Sequence, residues 1–284
     1  MKIIQEIIKE IEKVVKGKRE KIKIILATFF ANGHTLIEDI PGVGKTTIAK
    51  TIAKVLGLQF KRIQFTADML PSDIIGVNYF DVKSKEFVFK KGPIFTEILL
   101  ADEINRASPK AQSALLEAME ERQVSIDGVT YKLPEHFFVI ATQNPIEHGI
   151  YPLPLSQIDR FATSLSIGYP SRESEKLILK REEVKLNSFR DAVVEYKKRQ
   201  KNIFVDNKIY EMLLDIAEVS RSGMFEIGLS TRGVISLLEI SKSWAMMNER
   251  EFVIDEDVVE VLGYVINHRL KDNEAAKKIL NSIY

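Results

Sequence analysis

The chain has 284 residues, enough for one large or two modest domains, each with its own core. Hydrophobic residues make up 45% and charged residues 29%, with a formal net charge of +1, which excludes the global basic excess that marks a dedicated nucleic-acid or anionic-membrane binder. There is no cysteine and there are four scattered histidines, so disulfides, thiolate chemistry and cysteine-type zinc sites are excluded as well.

The opening stretch places Ile4, Ile7, Ile8, Ile11 and Val15 at helical spacing, which predicts an amphipathic helix over 3–15. It interleaves isoleucine with glutamate and lysine, unlike a signal peptide, and no apolar run reaches membrane-spanning length. The expectation is a cytoplasmic protein without membrane insertion. Gly17 breaks the helix, either as a simple stop or because the backbone of Val15 to Gly17 lies along the adenine of a nucleotide. A second helix, Ile22 to Phe30, leads into a strand.

Leu36 to Thr47 reads as a buried strand, a tight loop and the first turn of a helix that Gly57 stops. In Pro41-Gly42-Val43-Gly44-Lys45-Thr46-Thr47, two glycines let the loop fold with its amides inward, a nest for phosphate oxygens at a helix N-terminus. Lys45 is placed to reach the β- and γ-phosphates, and Thr46 to ligate Mg2+. The match to the phosphate-loop pattern is partial, because Asp39 stands where glycine is asked for. The third glycine of a dinucleotide fingerprint would fall at Thr47, which excludes that reading.

Gln59 to Phe65 is the next strand, followed by a polar loop over 66–76 and a hairpin near 79–90. The apolar run Ile98-Leu99-Leu100-Ala101 then ends in Asp102-Glu103. Two carboxylates at the end of a buried strand are costly unless they meet a cation and water. Asp102 is placed to hold the Mg2+ shell opposite Thr46, directly or through water, and Glu103 to polarise the attacking water. Ser108-Pro109 starts a helix with Ala111, Leu115, Ala118 and Met119 on its apolar face. Its other side, Glu117, Glu120, Glu121 and Arg122, reads as solvated surface. Asp127-Gly128 predicts a second hairpin near 123–133. Phe137 to Thr142 is a buried strand ending at Asn144, whose neutral amide can hold a water near the γ-phosphate.

Ala162 to Ile167 is the last strand, and Gly168-Tyr169-Pro170 a linker. Beyond it the pattern predicts helices over about 171–183, 188–200, 206–221, 231–247 and 255–270, with Ser171, Asp206, Ser230 and Asp255 as N-caps. The expectation is an α/β nucleotide-binding domain over 1–168 carrying the two hairpins, followed by a smaller all-helical domain over 169–284.

The ordered set of phosphate loop, hairpin, Leu-Leu-Ala-Asp-Glu-Ile-Asn-Arg-Ala, second hairpin, Ala-Thr-Gln-Asn-Pro and Gln-Ile-Asp-Arg-Phe resembles the MoxR family of AAA+ ATPases, from about residue 10 to about residue 270. Asp39 fits that resemblance, since the family often writes Glu-Asp-x-Pro-Gly-x-Gly-Lys-Thr. The resemblance implies that Asn144 is sensor 1, that Arg160 is an arginine finger donated to a neighbouring subunit, and that Arg232 is sensor 2, reaching the phosphates from the lid. It implies a homo-oligomer, a hexamer, that hydrolyses ATP with Mg2+ and remodels, assembles or inserts metal into a protein client. A von Willebrand factor A-domain partner often accompanies such proteins. The resemblance also implies a P-loop α/β fold with a parallel-sheet core, the two hairpins as insertions that face the pore or a partner, and an α-helical lid over 169–284. Arg106 is either a structural contact or a second trans arginine. A DNA-processing motor or loader is the alternative, kept open by Lys83, Lys85, Lys90 and Lys91 but opposed by the net charge. A non-hydrolysing switch is disfavoured by Glu103 and Asn144, and a GTPase by the lack of Asn-Lys-x-Asp.

Overall fold

The computed structural model describes residues 3–145, 151–180 and 184–283. Two helices come first, α1 (Ile3–Glu12) and α2 (Arg19–Phe30), and α1 buries the isoleucine face set by its spacing. Strand β1 (Thr35–Glu38) feeds α3 (Lys45–Leu56), which Gly57 ends in the left-handed conformation that favours glycine. After β2 (Phe60–Gln64) the stretch expected to be only a polar loop contains a helical turn, α4 (Pro71–Ile75). Pro71 at its first position and the Asp73 carboxylate, accepting from the Leu70 amide at 2.8 Å, start it.

The first hairpin is β3 (Gly76–Asp81) and β4 (Glu86–Lys91), longer at its base than the pattern indicated. Strand β5 (Ile98–Asp102) and α5 (Pro109–Glu121) follow, the latter capped by Ser108. The second hairpin is β6 (Gln123–Ile126) and β7 (Val129–Lys132), turning at Asp127-Gly128 with positive φ at both residues. The hairpins touch: Phe89 stacks on Tyr131 at 4.2 Å between centroids, and the Asn78 amide donates to Asp127 at 2.7 Å. Then come β8 (Phe138–Gln143), α6 (Leu155–Ile158) and β9 (Thr163–Leu165).

The five strands β2-β5-β8-β1-β9 form one parallel sheet, so the carboxyl ends of all of them open on one edge. Side chains alternate across it. Ile37, Ile98, Leu100, Phe138 and Ile140 face one core, and Leu36, Leu99, Ala101, Val139 and Ala141 face the other, beneath α5.

The rest of the described chain is helical: α7 (Arg172–Leu179), α8 (Arg190–Lys201), α9 (Asn207–Val219), α10 (Thr231–Met247), α11 (Asp255–Leu270) and α12 (Ala275–Ile283). Residues 181–183, included in the first expected helix, lie outside the described residues. Ser171, Asp206 and Ser230 cap as anticipated, each accepting from a backbone amide of the following turn. Asp255 does not cap. It is the first helical residue, and the carboxylate that accepts the Ile254 amide, at 3.0 Å, is Asp257. Helix α12 was not anticipated; it is short and buries Ala275 and Ile279 against α9 and α11. Helices α8 to α12 share one apolar core with α1, α2 and α3, so the helical part packs on one face of the sheet.

Candidate functional site

The glycine loop joins β1 to α3. Gly42 and Gly44 have φ of 87° and 93°, a region open to glycine at little cost, and added Cβ atoms there would meet nothing within 4 Å. Both residues therefore face open space. Lys45 is buried and its ammonium donates to the carbonyls of Asp39 at 2.8 Å and Ile40 at 3.1 Å, so the cation is held at the mouth of the loop. Thr46 is half-buried in the first turn of α3.

Asp102 and Glu103 end β5 two strands away, separated from β1 by β8. Asp102 accepts from the Arg62 guanidinium at 2.7 and 3.1 Å on one oxygen, and from the Thr142 hydroxyl at 2.6 Å on the other. Glu103 turns into the left-handed region, φ 56° and ψ 50°, which costs a non-glycine residue of the order of 1 kcal/mol. Its amide donates to Thr142 Oγ1 at 2.9 Å, and its carboxylate receives Gln64 at 2.6 Å and Arg106 at 2.9 Å. Arg106 is thus a neighbour of Glu103 in the same chain. Thr142, one residue into the polar end of an apolar strand, bridges the acidic pair, and sequence reasoning missed that role. Gln64 and Arg62 were missed too, since they reach the acids only because β2 pairs with β5 in register, Gln64 opposite Asp102. Asn144 follows β8, and its carbonyl accepts from buried Asn105 at 3.1 Å.

The arginines group elsewhere. Arg160 pairs with Glu120 at 3.2 Å, and Arg232 pairs with the same Glu120 and with Asp159 at 3.3 Å. Glu120 is therefore not merely solvated surface: the C-terminal turn of α5 meets the N-terminus of α10. Arg122 is not free surface either; its guanidinium donates to the carbonyls of Asn32 and Phe137. Asp159 also accepts from the Ser230 hydroxyl at 2.9 and 3.0 Å and from buried Arg269 at 2.8 Å. His268 beside it donates through Nε2 to the Phe161 carbonyl at 3.1 Å, and burial, with the Arg269 charge, holds it well below the usual histidine range.

A cavity of about 910 Å³ opens beside the glycine loop, within the range of small-molecule sites. Gly42, Val43, Gly44 and Thr47 line one side, and Val14, Val15, Tyr169 and Leu177 another. Val15 thus shares a cavity with the loop. Gly17 sits behind it at φ 67°, so close to α7 that a Cβ would come within 2.7 Å of Ser174 Oγ. Arg232 does not line this cavity. The lining fits a nucleotide in kind: Gly42 and Gly44 offer open backbone for phosphates and Val14, Val15 and Leu177 offer apolar wall for a base, while Lys45 and Thr46, next to them in the loop, are not among the lining residues. Among the described residues no three histidine or acidic side chains group as a metal cage, and a magnesium ion held largely by phosphates and water needs none.

Comparison with known proteins agrees with this geometry. The family pattern "ATPase family associated with various cellular activities (AAA)" matches residues 34–163, and "AAA lid domain" matches residues 220–282. The chain is 40% identical to the Uncharacterized protein YeaC of Bacillus subtilis, over 97% of this chain and 89% of that one. It is 38% identical to the Chaperone MoxR1 of Mycobacterium tuberculosis, over 94% of this chain and 75% of that one. A crystal structure of a candidate ATPase from Cytophaga hutchinsonii superposes with a TM-score of 0.89 at 34% identity, covering 99% of this chain and 94% of that one. With a nucleotide-sized cavity on a glycine loop, an acidic strand end two strands away and relatives of this identity along nearly its whole length, the chain belongs to the MoxR family of AAA+ ATPases.

Proposed function

We propose that the chain binds ATP with Mg2+, hydrolyses it in a homo-oligomeric ring, a hexamer, and couples hydrolysis to remodelling, assembly or metal insertion of a protein client. In this reading residues 1–168 form the nucleotide-binding unit and 169–284 the lid, and the protein works in the cytoplasm. The loop from Pro41 to Thr47 holds the phosphates through the backbone amides of Gly42 to Thr47 and the Lys45 ammonium. Val15 and Gly17 border the adenine. Thr46 and, through water, Asp102 hold the metal, which supplies charge neutralisation at the phosphates. Glu103 orients the attacking water, Asn144 keeps it near the γ-phosphate, and Arg160 and Arg232 neutralise developing charge.

The observation that carries this reading is the Lys45 ammonium, buried on two carbonyls of a glycine loop that opens on the cavity. Support for a protein client comes from the joined hairpins, which leave Phe80, Val82 and Phe87 exposed, a surface suited to apolar protein segments. A von Willebrand factor A-domain protein is the partner the family resemblance favours. The DNA-motor alternative is less well supported, since those hairpins carry Asp81 and Glu86 among their lysines.

Glu103→Gln tests the reading. The change keeps shape and removes the carboxylate, so ATP should bind with unchanged affinity while steady-state phosphate release is lost. Hydrolysis at the wild-type rate would remove Glu103 from its role.

A further inference from the structure

Asp39 stands where the phosphate-loop pattern asks for glycine, and its carboxylate is buried against donors of the chain itself. A buried carboxylate must find donors. One oxygen of Asp39 accepts from the amides of Ile167 and Gly168, both at 2.7 Å, and from the Ser166 hydroxyl at 3.1 Å; the other accepts from the Ile40 amide at 3.0 Å. Three of these four donors belong to the linker between β9 and α7. Burial opposes the charge, but the amides of Gly168 and Ile167 outweigh it and hold the carboxyl below the usual aspartate range. Gly168, at φ 66°, makes the turn that brings successive amides onto one oxygen.

The same linker is held from its other side. The Lys18 ammonium donates to the carbonyls of Ile167 at 2.7 Å and Tyr169 at 2.8 Å. An anion therefore grips the linker's amides while a cation grips its carbonyls. Asp39 is also continuous with the glycine loop, and its own carbonyl receives Lys45. Tyr169 and Pro170 of the linker, and Leu177 to Leu179 of α7 beyond it, line the same cavity as the loop. Those three α7 side chains are 46%, 50% and 75% exposed, although all are large and apolar.

We infer that Asp39 is a positioning residue that ties the glycine loop to the lid linker and so sets the cavity wall against which the nucleoside part of the ligand rests, with Lys18 as its counterpart. This rests on the ATP-binding reading. Glycine at position 39 would leave two linker amides without their acceptor and would uncouple that wall from the phosphate loop.

The test separates the nucleoside from the phosphates. ATP and inorganic triphosphate are titrated calorimetrically, with Mg2+, into the full chain and into Asp39→Asn, Lys18→Gln and the double variant, each checked for folding by its melting transition. Asp39→Asn should weaken ATP by about tenfold, the scale of one lost charge-assisted hydrogen bond, and change triphosphate affinity by less than about twofold. Lys18→Gln, a half-exposed site where folding is not at stake, should show the same ATP-selective loss. The double variant should lose less than the product of the two, because both residues hold one linker. Equal weakening of both ligands would show that Asp39 only shapes the phosphate loop. Unchanged ATP affinity, or strictly multiplicative losses, would overturn the shared clamp. A wild-type chain that does not bind ATP would overturn the ATP-binding reading beneath the inference, whereas a wild type that binds ATP no better than Asp39→Asn and Lys18→Gln do would overturn the inference alone.

Discussion

At the glycine loop, a buried lysine rests on two carbonyls of its own turn, five and six residues away in sequence. At the arginine cluster, Arg160 and Arg232 are 28% and 43% exposed and share one carboxylate, Glu120, which lies 112 residues from Arg232. The first group is short-range, buried and complete within one strand, turn and helix. The second is assembled from α5, the end of α6 and the N-terminus of α10; its ion pairs on Glu120 are partly exposed, while Arg160 Nε is buried without a hydrogen-bond partner among the described residues. Exposed ion pairs contribute little to stability, so the arginines can exchange Glu120 for another anion at small cost. One half of the proposed machinery is thus anchored by buried local contacts, and the other is held by partly exposed ion pairs.

The largest expected effect would come from showing that the second group serves a different subunit. Arg160→Ala keeps Lys45, Thr46 and Glu103, while Glu103→Gln keeps Arg160, so each alone should be nearly inactive. Mixed under subunit exchange, some interfaces would pair an intact Glu103 with an intact Arg160, and phosphate release should recover visibly, given that a trans arginine is worth on the order of 10³-fold in rate. Verified mixed rings with no recovery, or a monomer at full rate, would erase the distinction between the two groups.

Lys45→Ala addresses the first group directly. Loss of its charged hydrogen bonds to phosphate should weaken ATP binding by about 100-fold in calorimetry, whatever the assembly state. Arg160→Ala should leave monomer binding unaltered, and parallel losses in both variants would argue against separate roles.

Acid should act through buried histidines, and the arginine cluster contains one. Burial and the Arg269 charge hold His268 well below its ordinary value near 6.5, and burial, with Arg122, holds His34 down at about 3. The unfolded chain therefore takes up protons that the folded chain refuses, and stability falls as pH drops below about 6.5. Each such group contributes about 1.4 kcal/mol per pH unit at most. Melting temperatures recorded between pH 7 and pH 5 should decline, with a shallower slope in His268→Asn than in the wild type. An identical slope would remove His268 from the effect.

The smallest effect is expected for Glu120→Gln. Both of its partners are partly exposed, so stability should fall by no more than about 1 kcal/mol, a shift of a few degrees in melting temperature. A much larger loss would show that the cluster is a fixed structural centre rather than an exchangeable one.

How much of this was readable in the chain follows from the same contrast. The loop from Leu36 to Thr47, the acidic end of β5, the Asp127-Gly128 turn and three of the four helix caps are local: each depends on residues within a turn or a strand of one another, and spacing records them. The capping carboxylate Asp257 was misplaced by two positions because a side chain from the third helical residue can reach back to the preceding amide as readily as a residue at the boundary. Helix α12 is amphipathic, with five apolar residues among its nine, but it is too short to be stable alone, and it forms by packing on α9 and α11.

The α/β order, the two hairpins, the helical region and the strand–turn–helix form of the glycine loop were legible in the sequence, because hydrophobic period, glycine conformation and turn preference act over a few residues. Only the tertiary structure decided that Thr142 bridges Asp102 to Glu103, that Asp39 grips a linker more than 120 residues away, and that Arg160 and Arg232 meet on Glu120. Those contacts depend on strand order, register and the docking of α10 on α5. A buried or half-buried charge takes whichever partner the packed fold brings within reach, and no spacing along the chain encodes that choice.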